Sequence, residues 1–251
     1  MIERRDSDGV VELRLAAGKT NALTTDLVRR LIDELEAAES KRAIVVAGGA
    51  QFFCNGLDLS WALACTREQL ETFFLTLGRA VTAMLTLPCP IVGAVRGHAI
   101  GAGKTLIMAC DHRLAASGRV LLGSPEITLG VPNPIFADLM LRLIVGDSLA
   151  NDLLYNGKLI PADQLAACGL IQEIVAPEEV DTRARQVAAA LGSRPRAAFA
   201  ASKAVRAHGL VTAISAQLPE QIDGLLDAWF GHEAQQLLRA AAGNRNRSSA
   251  G

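Results

Sequence analysis

The stretch that decides how the chain is interpreted is CPIVGAVRGHAIGAGKTLIMACDHRLAASGRVLLGSPEITLGV, residues 89–131. A short apolar run, Ile91 to Val95, predicts a buried strand, and the glycine-rich segment 97–103 predicts a turn after it. An apolar segment of helical length, Thr105 to Cys110, comes next, and a second apolar run leads to Ser124-Pro125-Glu126. The pattern therefore predicts a strand, a glycine turn, a buried helix, another strand and a loop that presents one carboxylate.

A glycine turn that leads into a helix creates a site of positive potential. The first N–H groups of a helix have no partner inside it, and the helix dipole adds roughly half a positive charge at this end. Glycine also lets the backbone come close to a bound molecule, because it has no side chain. With Glu126 as a proton acceptor nearby, these donors predict a site for chemistry next to a carbonyl group.

A phosphate-binding loop is the alternative interpretation of the same turn, because Gly103-Lys104-Thr105 resembles the end of a Walker A motif. That motif requires a glycine five residues before the glycine of its GK pair, and position 98 is a histidine here. No separate strand ends in an aspartate at the usual spacing, since Asp111 follows the same helix. We therefore favour an oxyanion hole at the helix N-terminus.

Composition and charge exclude several classes of protein. The chain has 251 residues, is 50% hydrophobic and has a formal net charge of −1, which indicates a globular protein and gives no basic footprint for nucleic acid. No apolar run reaches the roughly 18 residues of a membrane span, and the N-terminus lacks the apolar core of a signal peptide. Five cysteines without a CxxC pair and four scattered histidines predict no disulfide framework, no metal site and a cytoplasmic location.

The order of the predicted elements indicates an α/β protein. Strands alternate with helices over the first 175 residues, and only helices follow, which predicts an α/β core with a C-terminal helical appendage. We place the core at residues 1–190 and the helical region at 191–243, and we expect a disordered polar tail at 244–251. Within the helical region, Gly209 is expected to end one helix and start the next.

Several segments together resemble the signature motifs of the crotonase superfamily, which contains enoyl-CoA hydratases and isomerases. Phe53 to Leu59 is similar to the motif F-x-x-G-[AL]-D-[LI], and Pro90 to Asp111 is similar to P-x-[IV]-x-A-[VI]-x-G-x-[AC]-x-G-G-G followed by a C-D pair. Gly123 to Gly130 is similar to G-x-P-E-[IV]-x-L-G, and Ala166 to Val175 matches a later A-x-x-x-G-L motif. The resemblance covers most of the chain.

The resemblance implies a spiral ββα core whose C-terminal helices pack subunits into a homotrimer, or into a hexamer made of two trimers. It implies an acyl-CoA thioester as substrate and no cofactor, since coenzyme A is part of the substrate. The thioester oxygen would bind the backbone N–H groups of Leu57 and Ala102, although the family usually has glycine at the second position. The expected substrate-binding positions are Gly56, Asp58, Gly101, Gly103, Thr105 and Phe136. Cations that could meet the CoA phosphates are Lys19, Arg96, Lys104 and Lys203.

The number of acidic residues distinguishes the reactions of the superfamily. Its hydratases use two glutamates around one water; here the first position is Thr105 and the second is Glu126. A single carboxylate can take a proton from C2 of a 3-enoyl-CoA and return it at C4, so the chain is expected to be a Δ3,Δ2-enoyl-CoA isomerase.

Three alternatives stay open. They are a hydratase that draws its second acid from elsewhere, other enolate chemistry such as thioester hydrolysis or decarboxylation, and a non-catalytic acyl-CoA or partner-binding module on the same fold.

Overall fold

The computed structural model describes the backbone of residues 1–249 and the side chains as far as residue 243. In this part of the chain the strands are β1 (Ile2–Ser7), β2 (Val10–Leu15), β3 (Ala43–Ala47), β4 (Phe52–Cys54), β5 (Ile91–Val95), β6 (His98–Ile100), β7 (His112–Ala116), β8 (Leu121–Gly123), β9 (Leu159–Pro161) and β10 (Glu173–Val175). The helices are α1 (Thr25–Ala37), α2 (Leu59–Ala62), α3 (Arg67–Thr86), α4 (Ala102–Met108), α5 (Ile135–Val145), α6 (Asp147–Tyr155), α7 (Ala162–Ala166), α8 (Val180–Gly192), α9 (Arg196–Phe230) and α10 (His232–Ser249), with a 3₁₀ helix at Glu126–Leu129.

The strands form two sheets, and the chain passes from the larger sheet to the smaller one three times. The larger sheet has the order β1-β2-β3-β5-β7-β10, and the smaller has the order β4-β6-β8-β9. In β3–β4, β5–β6 and β7–β8, the first strand of each pair lies in the larger sheet and the second in the smaller. A helix follows each pair, so the ββα repeat and the predicted α/β class are both confirmed.

The centre of the larger sheet is buried on both faces. Every residue of β3 and β5 is buried, which agrees with the continuous apolar runs of their sequences. Helix α8 packs against β2, β3, β5 and β7, while α3 packs against α1 and α9. The strand predicted at Ile91 to Val95 is therefore confirmed, with the same bounds.

The glycine-rich segment differs from the prediction in two respects. Its first half is a strand, β6, which pairs in parallel with β4 and β8, rather than a continuous turn. Helix α4 begins at Ala102, three residues before the predicted Thr105, and ends at Met108. The prediction was wrong because a three-residue strand between glycines is too short for an apolar periodicity to show.

The helical region differs at its centre. Helix α9 runs without a break from Arg196 to Phe230, so the helix end predicted at Gly209 is wrong. A single glycine costs a helix only about 1 kcal/mol relative to alanine, and packing of α9 on α3 outweighs this cost. The boundary placed at residue 190 falls in the last turn of α8, and backbone helix is assigned as far as Ser249. Side chains of 244–251 lie outside the described part, so the disorder expected for this tail stays a prediction, as does trimerisation.

No helix in the described part of the chain combines the length and apolar character that crossing a bilayer would require.

Gly103 is the position where α4 packs against β4. A Cβ atom on Gly103 would overlap the carbonyl oxygen of Cys54 and lie 2.9 Å from the Cys54 Cβ. We therefore expect Gly103→Ala to lower the free energy of unfolding by about 2–4 kcal/mol, because one of the two backbones must move. Chemical denaturation measures this loss.

The matched control is Gly224→Ala. Gly224 lies in α9, and no neighbouring element comes within 4 Å of the place that a Cβ would take, so alanine should raise the free energy of unfolding by about 0.5–1 kcal/mol. Equal stability changes in the two variants would contradict the packing that we describe between α4 and β4.

Candidate active site

The first wall of the site is the turn after β4. Leu23 N–H donates to the Gly56 carbonyl at 2.7 Å, and Asp58 N–H donates to the Leu23 carbonyl at 2.9 Å. This bridge fixes residues 56 and 58 and leaves the Leu57 N–H facing away from Leu23. Gly56 has φ of +77°, a left-handed conformation that strains other residues.

The second wall is the turn between β6 and α4. Gly101 has φ of +55°, and Ala102 is the first residue of α4, so its N–H has no acceptor inside the helix. A Cβ on Gly56 would lie only 2.9 Å from the Ile100 carbonyl oxygen and 3.4 Å from the Ala102 nitrogen. The two turns therefore touch, and the N–H groups of Leu57 and Ala102 have no hydrogen-bond acceptor among the residues that the structure describes.

Alanine is compatible with the second position. In the described chain, the non-glycine residues with positive φ are Asp8 and Asn21, so Ala102 has an ordinary right-handed backbone. The departure from glycine therefore costs no backbone strain and keeps the N–H donor.

The Glu126 carboxylate lies beside the second of these turns. Glu126 begins the 3₁₀ helix Glu126–Leu129 after β8, and a Cβ on Gly101 would lie 2.8 Å from its Oε1 atom. Position 101 thus requires glycine for two reasons: the backbone has a positive φ, and the Glu126 carboxylate occupies the space that a side chain would need. The structure places Leu57, Ala102 and Glu126 at the lining of one cavity, and their catalytic roles stay a prediction.

These residues open onto one apolar cavity. Glu126 is the one acidic residue in its described lining, and the remaining wall is mostly aliphatic and aromatic. The lining residues are Asn55, Gly56, Leu57, Leu59, Phe73, Phe74, Leu77, Ile100, Gly101, Ala102, Thr105, Pro125, Glu126, Leu129, Val131, Pro132, Pro134, Phe136, Trp229 and Leu238.

The other predicted substrate-binding residues divide into two groups. Gly56, Gly101, Thr105 and Phe136 line the cavity, but Asp58 and Gly103 do not. The Asp58 carboxylate caps α2 by accepting from the Trp61 N–H at 3.1 Å, and Gly103 packs on β4. Both therefore support the two turns structurally and are not part of the cavity wall.

Thr105 is held in place within α4. Its hydroxyl donates to the Gly101 carbonyl at 3.2 Å, and the side chain is buried. The hydroxyl therefore helps to fix the turn that carries Ala102.

Sequence reasoning missed the residues that close the cavity from the C-terminal helices. Trp229 lies in the last turn of α9 and Leu238 lies in α10. A Cβ on Gly130 would lie 3.1 Å from Ala234, so the start of α10 packs directly on the end of the segment that carries Glu126. No local sequence signal marks these residues, because an apolar residue in a helix is as compatible with core packing as with a cavity wall.

It also missed Asn21, which ties the turn after β2 to β4. Asn21 has φ of +48°, and its amide nitrogen donates to the Phe52 and Phe53 carbonyls at 3.3 Å and 3.2 Å. This clamp supports the chain just before Gly56.

The cations considered for CoA phosphates are mostly engaged inside the protein. Lys203 is buried and donates to the Asp111 carboxylate at 2.6 Å, and Arg96 pairs with Asp181 at 3.3 Å. Lys104 is only 2% exposed and borders a separate small cavity beside Ser124. Because Lys104 is buried, its ammonium group cannot contact the phosphate of a ligand that binds from solution. This disagrees with the interpretation of the glycine turn as a phosphate-binding loop.

His98 has a structural position. Its Nδ1 accepts from the Leu121 N–H at 3.0 Å, its ring packs edge-on against Phe52, and burial lowers its pKa. Among the described residues, no group of three or more His, Cys, Asp or Glu side chains is placed to hold a metal ion.

Comparison with known proteins decides the family. Residues 5–236 match the sequence pattern described as enoyl-CoA hydratase/isomerase. The chain belongs to this family, within the crotonase superfamily. The resemblance of its motifs is thereby confirmed.

Relatives and solved structures of the family cover most of the chain. A probable enoyl-CoA hydratase of Mycobacterium avium is 34% identical over 202 residues, which are 78% of this chain and 77% of the relative. A crotonyl-CoA hydratase of Syntrophomonas wolfei is 30% identical over 81% of this chain and 79% of its own. The human mitochondrial delta3-delta2-enoyl-CoA isomerase superposes with a TM-score of 0.93 at 19% identity, covering 100% of this chain and 99% of the human one.

The buried Lys104 makes stability depend on pH. Burial lowers its pKa to about 8, although the Glu126 and Asp138 carboxylates act in the opposite direction. In the unfolded chain, Lys104 keeps its proton up to its ordinary pKa of about 10.5. Below about pH 8 the folded state must bury the charged ammonium group, which lowers the free energy of unfolding, and this free energy rises as the pH increases from about 8 towards about 10.5. We expect Lys104→Met to raise the free energy of unfolding by about 3 kcal/mol near neutral pH.

Denaturation of both proteins at two pH values measures the effect. Between about pH 7 and about pH 9.5, wild type should gain about 2 kcal/mol relative to Lys104→Met. Lys41→Met, at a partly exposed lysine paired with Asp6, is the control and should show no such gain. A constant difference between wild type and Lys104→Met would show that Lys104 is not buried as described.

Proposed function

We propose that this protein acts on acyl-CoA thioesters and moves a double bond, converting 3-enoyl-CoA into trans-2-enoyl-CoA. The observation that carries the proposal is the composition of the cavity wall. It combines two backbone N–H donors with one carboxylate, Glu126, and has Thr105 at the first of the two glutamate positions of the superfamily's hydratases.

The reaction proceeds through an enolate. The thioester oxygen binds the N–H groups of Leu57 and Ala102, and Glu126 takes a proton from C2. The electrons of the C2–H bond form the C1–C2 double bond of a dienolate, and the negative charge moves to the oxygen. Glu126 then returns the proton at C4, so the remaining double bond lies between C2 and C3 and no atom is added.

The two amides supply most of the stabilisation that this step needs. Loss of one oxyanion-hole donor typically costs about 10²–10³ in rate. The donors are backbone groups held by the Leu23 bridge and by α4, so little reorganisation is needed when charge develops. An apolar wall strengthens the same interaction because it excludes water.

Hydration is the second candidate function, and the names of the relatives favour it. The relatives at 30–34% identity are named hydratases. Hydration needs a second group that gives or takes a proton at the water, and a threonine hydroxyl is too weak an acid and base for that task at neutral pH. The Thr105 hydroxyl is moreover occupied with the Gly101 carbonyl.

We further propose that coenzyme A enters as part of the substrate, with no other cofactor, and that the protein assembles as a homotrimer or as a pair of trimers. The resemblance to the family supports both statements.

The test compares two reactions of the wild-type protein. We expect isomerisation of 3-hexenoyl-CoA to be much faster than hydration of crotonyl-CoA, both followed by absorbance. Glu126→Gln should lower kcat for isomerisation by about 10²–10⁴-fold, because the base is lost while the shape of the site is kept. Calorimetry with a saturated acyl-CoA should show that binding is retained.

Glu220→Gln is the control, because Glu220 is an exposed glutamate on α9 and does not line the cavity. It should leave both rates unchanged. Rapid hydration by wild type would favour the hydratase, and unchanged isomerisation in Glu126→Gln would remove Glu126 from the mechanism.

A further inference from the structure

The active-site cavity has a mouth and a deep end. Leu57, Ala102 and Glu126 are partly exposed, so the proposed donors and the proposed base lie at the mouth. Coenzyme A is far larger than the cavity and stays outside, so the acyl tail of a thioester bound at the mouth points towards the deep end. The wall there consists of apolar residues that are at most 5% exposed: Phe73, Phe74, Leu77, Phe136, Trp229 and Leu238.

The deep end is closed where α5 and α9 meet α3. A Cβ atom on Gly78 of α3 would lie 2.6 Å from Leu218 Cδ2 of α9 and 3.6 Å from Phe136 Cδ1 of α5. Both side chains therefore pack directly on the backbone of α3, and Phe136 has no exposed surface. With the three helices in contact behind it, Phe136 is the place where an acyl tail must end.

Aromatic rings close the side of the cavity that faces α2. The ring centroids of Phe73 and Phe74 are 5.4 Å apart, and the Trp61 ring lies 5.7 Å from Phe73. Rings at these separations are in contact, so a methylene chain does not pass between them. Trp229 and Leu238 cover the cavity from the C-terminal helices.

The enclosed space is small. The cavity has a volume of about 70 Å³, whereas an engineered apolar cavity of about 150 Å³ holds one benzene molecule. Along α3 the wall extends from Phe73 to Leu77, which is one helical turn, or about 6 Å. A space of this size holds only a few carbon atoms.

We infer that this enzyme selects short-chain acyl-CoA thioesters, with acyl groups of about four to six carbons, and that Phe136 sets the upper limit of the chain length. The inference rests on the proposed function and specifies its substrate class. Carbons 1 to 4 take part in the reaction, and the few carbons beyond them fill the deep end. A longer tail must displace side chains that are packed as tightly as a protein core, which lowers its affinity.

Binding of saturated acyl-CoA thioesters tests the inference without depending on turnover. The probes are butanoyl-, hexanoyl-, octanoyl- and decanoyl-CoA, and calorimetry gives the Kd of each for wild type. From butanoyl- to hexanoyl-CoA, we expect the Kd to fall about fourfold for each methylene that the apolar wall buries. From hexanoyl- to decanoyl-CoA, we expect it to rise at least about tenfold, because the longer tail meets Phe136.

Two results with wild type would overturn the inference. A Kd that keeps falling through decanoyl-CoA would show that the cavity continues beyond Phe136. A constant Kd from hexanoyl- to decanoyl-CoA would show that the tail leaves the cavity for solvent and does not end against a closed wall.

A substitution at the closed end tests the role of Phe136. In Phe136→Leu, the ratio of the Kd of octanoyl-CoA to that of hexanoyl-CoA should be about fourfold lower than in wild type, because one further methylene finds room. Phe53→Leu is the matched control: Phe53 is as deeply buried as Phe136 but does not line the cavity, so the ratio should stay as in wild type. Equal ratios in Phe136→Leu and wild type would remove Phe136 as the limit of chain length.

The two proposals fail in different ways. If wild type binds none of these acyl-CoA thioesters, both the proposed function and this inference are overturned. If it binds them with the expected dependence on length but does not isomerise 3-hexenoyl-CoA, the inference is supported and only the proposed reaction is overturned. If it isomerises 3-hexenoyl-CoA and binds decanoyl-CoA as tightly as hexanoyl-CoA, only the inference is overturned.

Discussion

The close approach of two backbone turns is the constraint on which the rest of this structure depends. Gly56 lies against Ile100 and Ala102 so tightly that any side chain at position 56 would meet the Ile100 carbonyl. This contact is possible only because β4 and β6 are neighbours in the smaller sheet and each ends in a turn with a positive-φ glycine. The spiral alternation between two sheets therefore has a chemical consequence, since it places the N–H groups of Leu57 and Ala102 side by side.

The carboxylate depends on the same packing. Glu126 follows β8, the next strand of the smaller sheet, and its oxygen occupies the space that a side chain at Gly101 would fill. Three neighbouring strands of one sheet thus bring together the residues to which we assign the two donors and the base. The C-terminal helices then cover the cavity with Trp229 and Leu238, which encloses Glu126 and the two N–H groups in apolar surroundings.

The parts of this arrangement that the sequence reveals are those with strong local signals. The apolar run at 91–95 and the motifs around Gly56 and Glu126 were sufficient to predict the core and to select Leu57, Ala102 and Glu126, which the structure places at one cavity. Strand β6 was not predicted because it has only three residues. The continuity of α9 through Gly209 was not predicted because tertiary packing outweighs the low helix propensity of glycine. Trp229 could not be assigned to the site, since its approach depends on how a distant helix folds back over the cavity.

The proposed mechanism requires the two backbone N–H groups to polarise a thioester carbonyl. Infrared difference spectroscopy of an acyl-CoA labelled with ¹³C at the thioester carbonyl measures this polarisation directly. We expect the carbonyl stretching band to move to lower frequency when the ligand binds, and to be displaced equally in Glu126→Gln, because the donors are backbone groups. A carbonyl band at the same frequency in the bound and the free ligand would contradict the assignment of Leu57 and Ala102 as oxyanion-hole donors.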